Sequence, residues 1–227
     1  MNIQYYGHSC FKITTKPYGR ATEDVVIFTD PFDRSIGLRP PQGHADIVFV
    51  SHNHPDHNNI SALKGDPVII DLPGEYSARG INAIGINSFH DSVQGAERGL
   101  NTIFIFESEE MRICHLGDLG SELDAKQLEE IDGIDILFVP IGGKFTLDGK
   151  KASDMIKKIE PKIVIPMHYK IKGSNLDISD EKKFCSEMGN CPPRLGEAGP
   201  SQKIAKLTIK KKDLEEKNME VVIMSIE

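Results

Sequence analysis

Apolar residues run through the first half of the chain in short blocks broken by polar turns. "NIQYYGHSCFKI" alternates, is rich in aromatic and β-branched residues, and predicts an opening strand. "DVVIFTDPF" predicts a buried strand stopped at Asp30-Pro31. "ADIVFVSH", "DPVIIDLP" and "INAIGINSFH" predict three more. "NTIFIFESEEMRICHLGD" predicts a hairpin turning at the polar "ESEE".

The second half changes rhythm. "ELDAKQLEEI" has helical spacing, with Ser121 as a cap before it. "IDILFVPIGG" returns to a strand, "KKASDMIKKIEP" to a helix with Ser153 near its start and Pro161 at its end, and "PKIVIPMHYK" to a strand. Strands alternating with helices predict an α/β domain with a mixed sheet. The segments 45–54, 134–143 and 161–170 each run from apolar residues into a polar or glycine-rich turn, so several strand ends are expected to meet in one region, the edge where α/β sheets bind ligands. Beyond residue 172 the pattern weakens, with one short helix around 180–188 and final strands in "KIAKLTIKKK" and "MEVVIMSI". The expectation is a single domain over 1–227, with 172–200 forming a lid or a surface connection.

Composition narrows the function classes. The 227 residues carry a net charge of −7, which disfavours a phosphate backbone as partner. The basic run at 210–212 adjoins acidic residues and reads as a solvated face. No apolar stretch reaches the ~20 residues of a membrane span, and the N-terminus lacks the pattern of a signal peptide. Cys10, Cys114, Cys185 and Cys191 are scattered and read as reduced thiols of a cytoplasmic protein. The expected partner is a small-molecule substrate, with self-association left open.

Against this ordinary background, "VFVSHNHPDHNN" gathers His52, His54, Asp56 and His57 directly after a strand. A lone histidine such as His44 is a plain polar residue, but four ligand types in six residues are not. Alternation directs His52 and His54 one way, and the bend at Pro55 turns Asp56 and His57 another, which suits two adjacent ions. Imidazole and carboxylate favour divalent ions: Zn²⁺ first, with Mn²⁺ or Fe²⁺ as alternatives. The remaining ligands should end strands, as His90, Asp118 and His168 do. The resulting set puts His52, His54 and His90 on one ion, Asp56, His57 and His168 on the second, and Asp118 between them. His115 reads as structural.

"SHNHPDH" resembles the HxHxDH signature of the metallo-β-lactamase superfamily, and His90, Gly117-Asp118 and His168 follow in that superfamily's order. "YYGHSCFKI", "TDPF", "HDSVQGAERGLNTIFIF", "HLGDLG", "VPIGGKFTLD" and "KIVIPMHYK" resemble the L-ascorbate-6-phosphate-lactonase-like branch, many of whose members are named only as metal-dependent hydrolases. The likeness spans residues 3–171. It implies a four-layer αββα sandwich with the site at one edge between two sheets. It also implies that Asp30 orients the 52–57 loop, and it leaves a site-lining and a structural role open for His8.

Lys144 and Tyr169 are candidates to touch substrate, and Asp91 and Ser92 to fix His90. The expected reaction is hydrolysis, a hydroxide on the ions attacking an ester or lactone, amide or phosphodiester, with Asp56 or Asp118 handling the proton. An iron-dependent redox protein is the alternative, although oxygen-reducing diiron relatives carry glutamate where this chain has His54. A non-catalytic metal-binding protein is a third reading.

Overall fold

Two β-sheets face one another in the computed structural model, which describes residues 1–18, 23–192 and 202–226. Strands are numbered in chain order. The first sheet has six strands, β1 (Asn2–Gly7), β2 (Cys10–Thr15), β3 (Val25–Thr29), β5 (Ile47–Phe49), β7 (Val68–Ile70) and β14 (Lys206–Thr208), in the spatial order β14-β1-β2-β3-β5-β7. A two-stranded ribbon, β4 (Gly43–His44) with β6 (Leu63–Lys64), lies apart from it. The second sheet has seven strands: β8 (Gly74–Ala78), β9 (Ile81–Phe89), β10 (Leu100–Ser108), β11 (Met111–His115), β12 (Ile136–Pro140), β13 (Ile163–Met167) and β15 (Glu220–Val221). Its order is β15-β13-β12-β11-β10-β9-β8. Strands β3, β5 and β7 run parallel in the first sheet, as do β11, β12 and β13 in the second. Parallel strands end on the same side, so their loops converge at one edge.

Strand alternation builds the core between the sheets. Ile3, Tyr5, Phe11, Ile13, Ile27 and Phe49 from the first sheet meet Phe104, Phe106, Ile113, Phe138 and Ile165 from the second. The outer face of the second sheet is covered by α1 (Ala125–Glu130), α2 (Gly149–Ile159) and α3 (Glu181–Met188). In α2, Ala152, Met155, Ile156 and Ile159 fall at helical spacing and are buried, each large side chain contributing about 1.5–3 kcal/mol. The outer layer on the first sheet is thinner than the expected helical one. Two 3-10 turns, Arg34–Ile36 and Ile60–Ala62, and the short ribbon place Ile36, Leu38 and Ala45 over Phe28 and Val48.

Several local expectations change. The opening segment is a hairpin, not one strand: Gly7 (φ 108°) and His8 (φ 58°) take the left-handed region and reverse the chain. The cap of α1 is Asp124 in a capping box with Gln127, not Ser121, because only Asp124 reaches the first free N–H groups. Asp148 caps α2, and Ser153 is buried inside it. The strand β8 was not anticipated, since "GEYSA" is polar and mostly exposed on a sheet edge. Cys185 and Cys191 are not reduced thiols but a disulfide, their Cα atoms 5.4 Å apart. Gly189, left-handed at φ 72°, ends α3 and brings the chain back far enough for the pair to meet. Cys10 and Cys114 are free and buried. Of the segment 172–200, residues 193–200 lie outside the described part. Within residues 170–180, Ser179 N–H donates to the Gly142 carbonyl and Asn175 N–H to that of Ile36, which fixes this stretch across the site edge. No described helix is long and apolar enough to cross a membrane.

Candidate metal centre

Every residue at the centre sits where a strand gives way to a turn. His8 occupies the β1–β2 turn, and Asp30 follows β3. Residues 52–57 follow β5, while His90, Asp118 and His168 follow β9, β11 and β13. The structure gathers their side chains into two groups. His52, His54 and His90 form one, and His8, His57, Asp118 and His168 the other; within each group the ligand atoms lie within 4.8 Å of one another. Asp118 joins the two, with Oδ2 3.2 Å from His57 Nε2, 3.0 Å from His168 Nε2 and 3.4 Å from His90 Nε2.

His8 joins the second group, and Asp56, expected there, stands beside it. Asp56 lies at the mouth with its side chain 29% exposed, its Oδ2 3.2 Å from His8 Nε2 and 3.9 Å from His57 Nε2. The 52–57 turn explains this. His57 N–H and Asn58 N–H both donate to the His54 carbonyl, a tight coil that turns His57 inward and Asp56 outward.

Polar contacts fix which ring nitrogen His52, His90 and His57 present. Ser51 Oγ–H donates to Asp30 Oδ2 at 2.8 Å, so Ser51 Oγ is left to accept from His52 Nδ1–H at 2.9 Å. His52 Nε2 then carries a lone pair, is buried, and has no hydrogen-bond partner. His90 Nδ1–H donates to the Phe145 carbonyl at 3.1 Å, and its Nε2 faces Asp118. His57 Nδ1 stands 3.1 Å from Asp30 Oδ2, so it carries a proton on that side, and its Nε2 faces Asp118 Oδ2 at 3.2 Å. Ligating imidazoles characteristically hold their other nitrogen in this way.

Electrostatics agree. Burial, with His57 nearby, lowers His52 to about 2. Burial and the neighbouring His168 and His57 lower His8 to about 4, and burial lowers His90 as well. These rings are held neutral, as ligands must be. Burial would also lower His57, but Asp118 and Asp30 outweigh it and raise its pKa well above the usual value. Burial raises Asp118, yet His168 and His57 outweigh it, so the carboxylate is ionised. His57 therefore marks a point that demands positive charge. Buried neutral nitrogens, one of them unpartnered, around an ionised carboxylate are a donor set suited to divalent cations.

The surrounding residues hold this set in place. Asp30, fully buried, accepts from Ser51 N–H at 2.7 Å and from its hydroxyl. His115 Nδ1 accepts from Gly117 N–H, and its Nε2–H donates to the Ser9 carbonyl, so it supports the hairpin. Asp91 accepts N–H bonds from Val93, Gly95, Glu97 and Arg98, shaping the loop after His90. Three supports had no clear sequence signal. Asn101 Oδ1 accepts from Asp118 N–H, Ser9 Oγ–H donates to Asp118 Oδ1, and the Phe145 carbonyl orients His90. A lone asparagine opening the apolar run "NTIFIF" was the one available hint.

Of the two residues expected to touch substrate, one is placed otherwise. Tyr169 is only 2% exposed and packs in the core beneath the helices, its hydroxyl facing the Met224 carbonyl, because β13 has ended and the chain turns inward. Lys144 is half exposed, pairs with Asp177 at 2.7 Å and lies over the ring of Phe145, the residue whose carbonyl orients His90.

Comparison with known proteins gives the fold a family. A model described as beta-lactamase superfamily domain matches residues 2–168. A UPF0173 metal-dependent hydrolase of Bacillus mycoides is 29% identical, covering 88% of this chain and 98% of its own. The solved structure of a candidate Zn-dependent hydrolase of the metallo-β-lactamase superfamily from Thermotoga maritima is 33% identical, with a TM-score of 0.75 over 100% of this chain and 99% of its own. A diiron β-hydroxylase from Streptomyces venezuelae shares the fold alone, at 13% identity and a TM-score of 0.58 over 92% of this chain and 54% of its own. By sequence, by fold and by the order of its site residues, this chain belongs to the metallo-β-lactamase superfamily.

Proposed function

We propose that the protein is a dinuclear metal-dependent hydrolase acting on a small substrate through an ester or lactone, amide or phosphodiester bond. The observation that carries this is the pair of ligand groups joined by Asp118 Oδ2. His52, His54 and His90 would hold one ion; Asp56, His57 and His168 would hold the other, with Asp118 shared. Bound divalent ions, Zn²⁺ before Mn²⁺ or Fe²⁺, would supply a more acidic water and a Lewis acid for the developing oxyanion.

The chain's own residues supply the rest. Asp118 Oδ1 is tied to Ser9 Oγ and its N–H to Asn101, so its Oδ2 is held at the junction. Asp56 stands at the mouth, within reach of both solvent and the His8 ring. Burial pushes its pKa up, but the His8 hydrogen bond and the His57 ring outweigh this and keep it below the ordinary carboxylate range. An ionised carboxylate at that position can take the proton from an attacking water. The three imidazoles of the first group favour hydrolysis over the iron redox alternative, since His54 gives that group a third nitrogen rather than a glutamate oxygen. A lactone is favoured among the bonds by the likeness of motifs 3–171 to the lactonase-like branch.

The test is to strip the protein with a chelator, restore Zn²⁺ or Mn²⁺, and assay lactone, ester, amide and phosphodiester panels. Activity should vanish and return with metal, and His54→Ala should lower kcat at least ~100-fold. Activity that survives both treatments would end this reading.

A further inference from the structure

We propose that the cavity walled by Arg98, Lys144 and Lys151, beside His90, takes a compact oxyanion group of the substrate, a phosphate or a carboxylate; this rests on the hydrolase reading above. The cavity measures about 220 Å³. That is below the ~300–1,000 Å³ of a whole ligand pocket and suits a single group. The chain carries a net charge of −7, so three cations around one small cavity run against its overall balance.

Two of the cations are gathered by one ring. The Arg98 guanidinium lies 5.5 Å and the Lys144 ammonium 5.4 Å from the centre of the Phe145 ring. The ring face attracts each of them, while they repel one another, and an anion held beside both relieves that repulsion. Their present partners are surface acids. Arg98 meets Glu97 at 3.2 Å and Lys144 meets Asp177 at 2.7 Å, with those carboxylate side chains 63% and 92% exposed. Pairs this exposed hold weakly and yield readily to another anion. The two carboxylates that line the cavity already face N–H donors. Asp91 accepts from four backbone N–H groups of its own loop, and Asp148 caps α2 through the N–H groups of Lys150 and Lys151. The cationic heads are therefore the groups left to meet a ligand.

The backbone holds this cavity against the metal centre. The four bonds to Asp91 fold the loop that brings Arg98 to the ring. On the other wall, Gly143 (φ 67°) and Lys144 (φ 49°) are both left-handed, a conformation lysine adopts at a cost. That turn sets the Phe145 carbonyl, which accepts from His90 Nδ1–H at 3.1 Å. The residue whose ring gathers the cations thus also aims a ligand of the first ion. A group bound there is placed relative to that ion through a single residue, and its binding energy can serve to orient the reacting bond.

The test is calorimetric titration of the chelator-stripped full chain, in which no bound ion competes for the anion. The probes are inorganic phosphate and acetate, then glycerol phosphate and glycerate, which carry the same groups on a polar tail. At least one simple anion should bind the wild type at one equivalent, and its tailed counterpart no more weakly. Arg98→Met and Lys144→Asn, the latter chosen because asparagine tolerates the left-handed backbone, should each weaken that binding at least ~10-fold, as loss of a charge-assisted contact does. Lys206→Gln, which removes an equal charge from the edge strand β14 of the first sheet, should leave affinity as it was. A wild type that binds neither simple anion would overturn the site, as would unchanged affinity in both cavity variants or equal weakening by Lys206→Gln. A tailed anion that binds at least ~10-fold more weakly than the simple one would mean a cavity closed on a free ion and would overturn the assignment to a substrate group. No metal and no turnover enter this titration, so the hydrolase reading stands or falls separately, in the chelation assay.

Discussion

Asp30 accepts hydrogen bonds from the backbone and hydroxyl of Ser51 and stands 3.1 Å from His57 Nδ1, yet it touches no ligand group's inner atoms. Through Ser51 it also sets the ring of His52. One carboxylate therefore orients a histidine in each of the two groups. Asp30→Ala would leave the Ser51 N–H and the His57 Nδ1–H buried without an acceptor, each costing about 1–3 kcal/mol. The expected outcome is a lower Tm by thermal denaturation, with metal affinity falling about 10–100-fold by competitive titration. Wild-type affinity in a folded Asp30→Ala protein would remove Asp30 from the positioning role.

At the scale of elements, the site depends on how closely the ligand turns can approach. A methyl group added at Gly120 would run into the His90 carbonyl oxygen, and one at Gly142 into that of His168. Both partners are backbone and cannot yield cheaply. Gly120→Ala should destabilise by about 1–3 kcal/mol and shift His90, so that the first ion binds more weakly while the fold persists. Unchanged Tm and unchanged affinity would show that the turns have room to move. These contacts also explain what could be seen in the chain beforehand. His52, His54 and His57 were legible from the density of ligand types in one polar stretch after a strand, and His90, Asp118 and His168 because each follows an apolar run. His8 was obscured because Gly7 and His8 interrupt one continuous alternation, and nothing in "YYGHSCF" separates a strand from a hairpin until the turn is seen. Tyr169 was misplaced for a related reason. Position next to a ligand does not fix where a side chain points, and the core took this one. The Cys185–Cys191 pair depended on Gly189 reversing the chain after α3, a tertiary event with no spacing signature.

For the whole molecule, the buried histidines make stability depend on pH once metal is stripped. His8 is lowered to about 4 and His52 to about 2, and His90 and His115 are lowered as well. Unfolding restores an ordinary histidine pKa near ~6.5, so the unfolded chain binds more protons than the folded one. Their contribution is complete above that value and is lost as pH falls from about 6.5 toward 4. His57 has the opposite sign, since its raised pKa favours the folded state at low pH, but it is one group against four. Chelator-stripped protein should thus lose Tm steadily between pH 7 and pH ~4.5, and a flat or rising Tm would contradict the burial of these rings as neutral groups.

The same arrangement that makes the stripped molecule sensitive to acid gives the two sheets their reason to meet at this edge. The first sheet brings His8, Asp30 and the 52–57 loop; the second brings His90, Asp118 and His168. Anomalous scattering from crystals of the Zn²⁺-loaded protein tests this most directly. Two peaks are expected, one among His52, His54 and His90 and one among His57, Asp118 and His168, both in contact with Asp118. A single peak, or peaks that do not share Asp118, would contradict a two-ion centre.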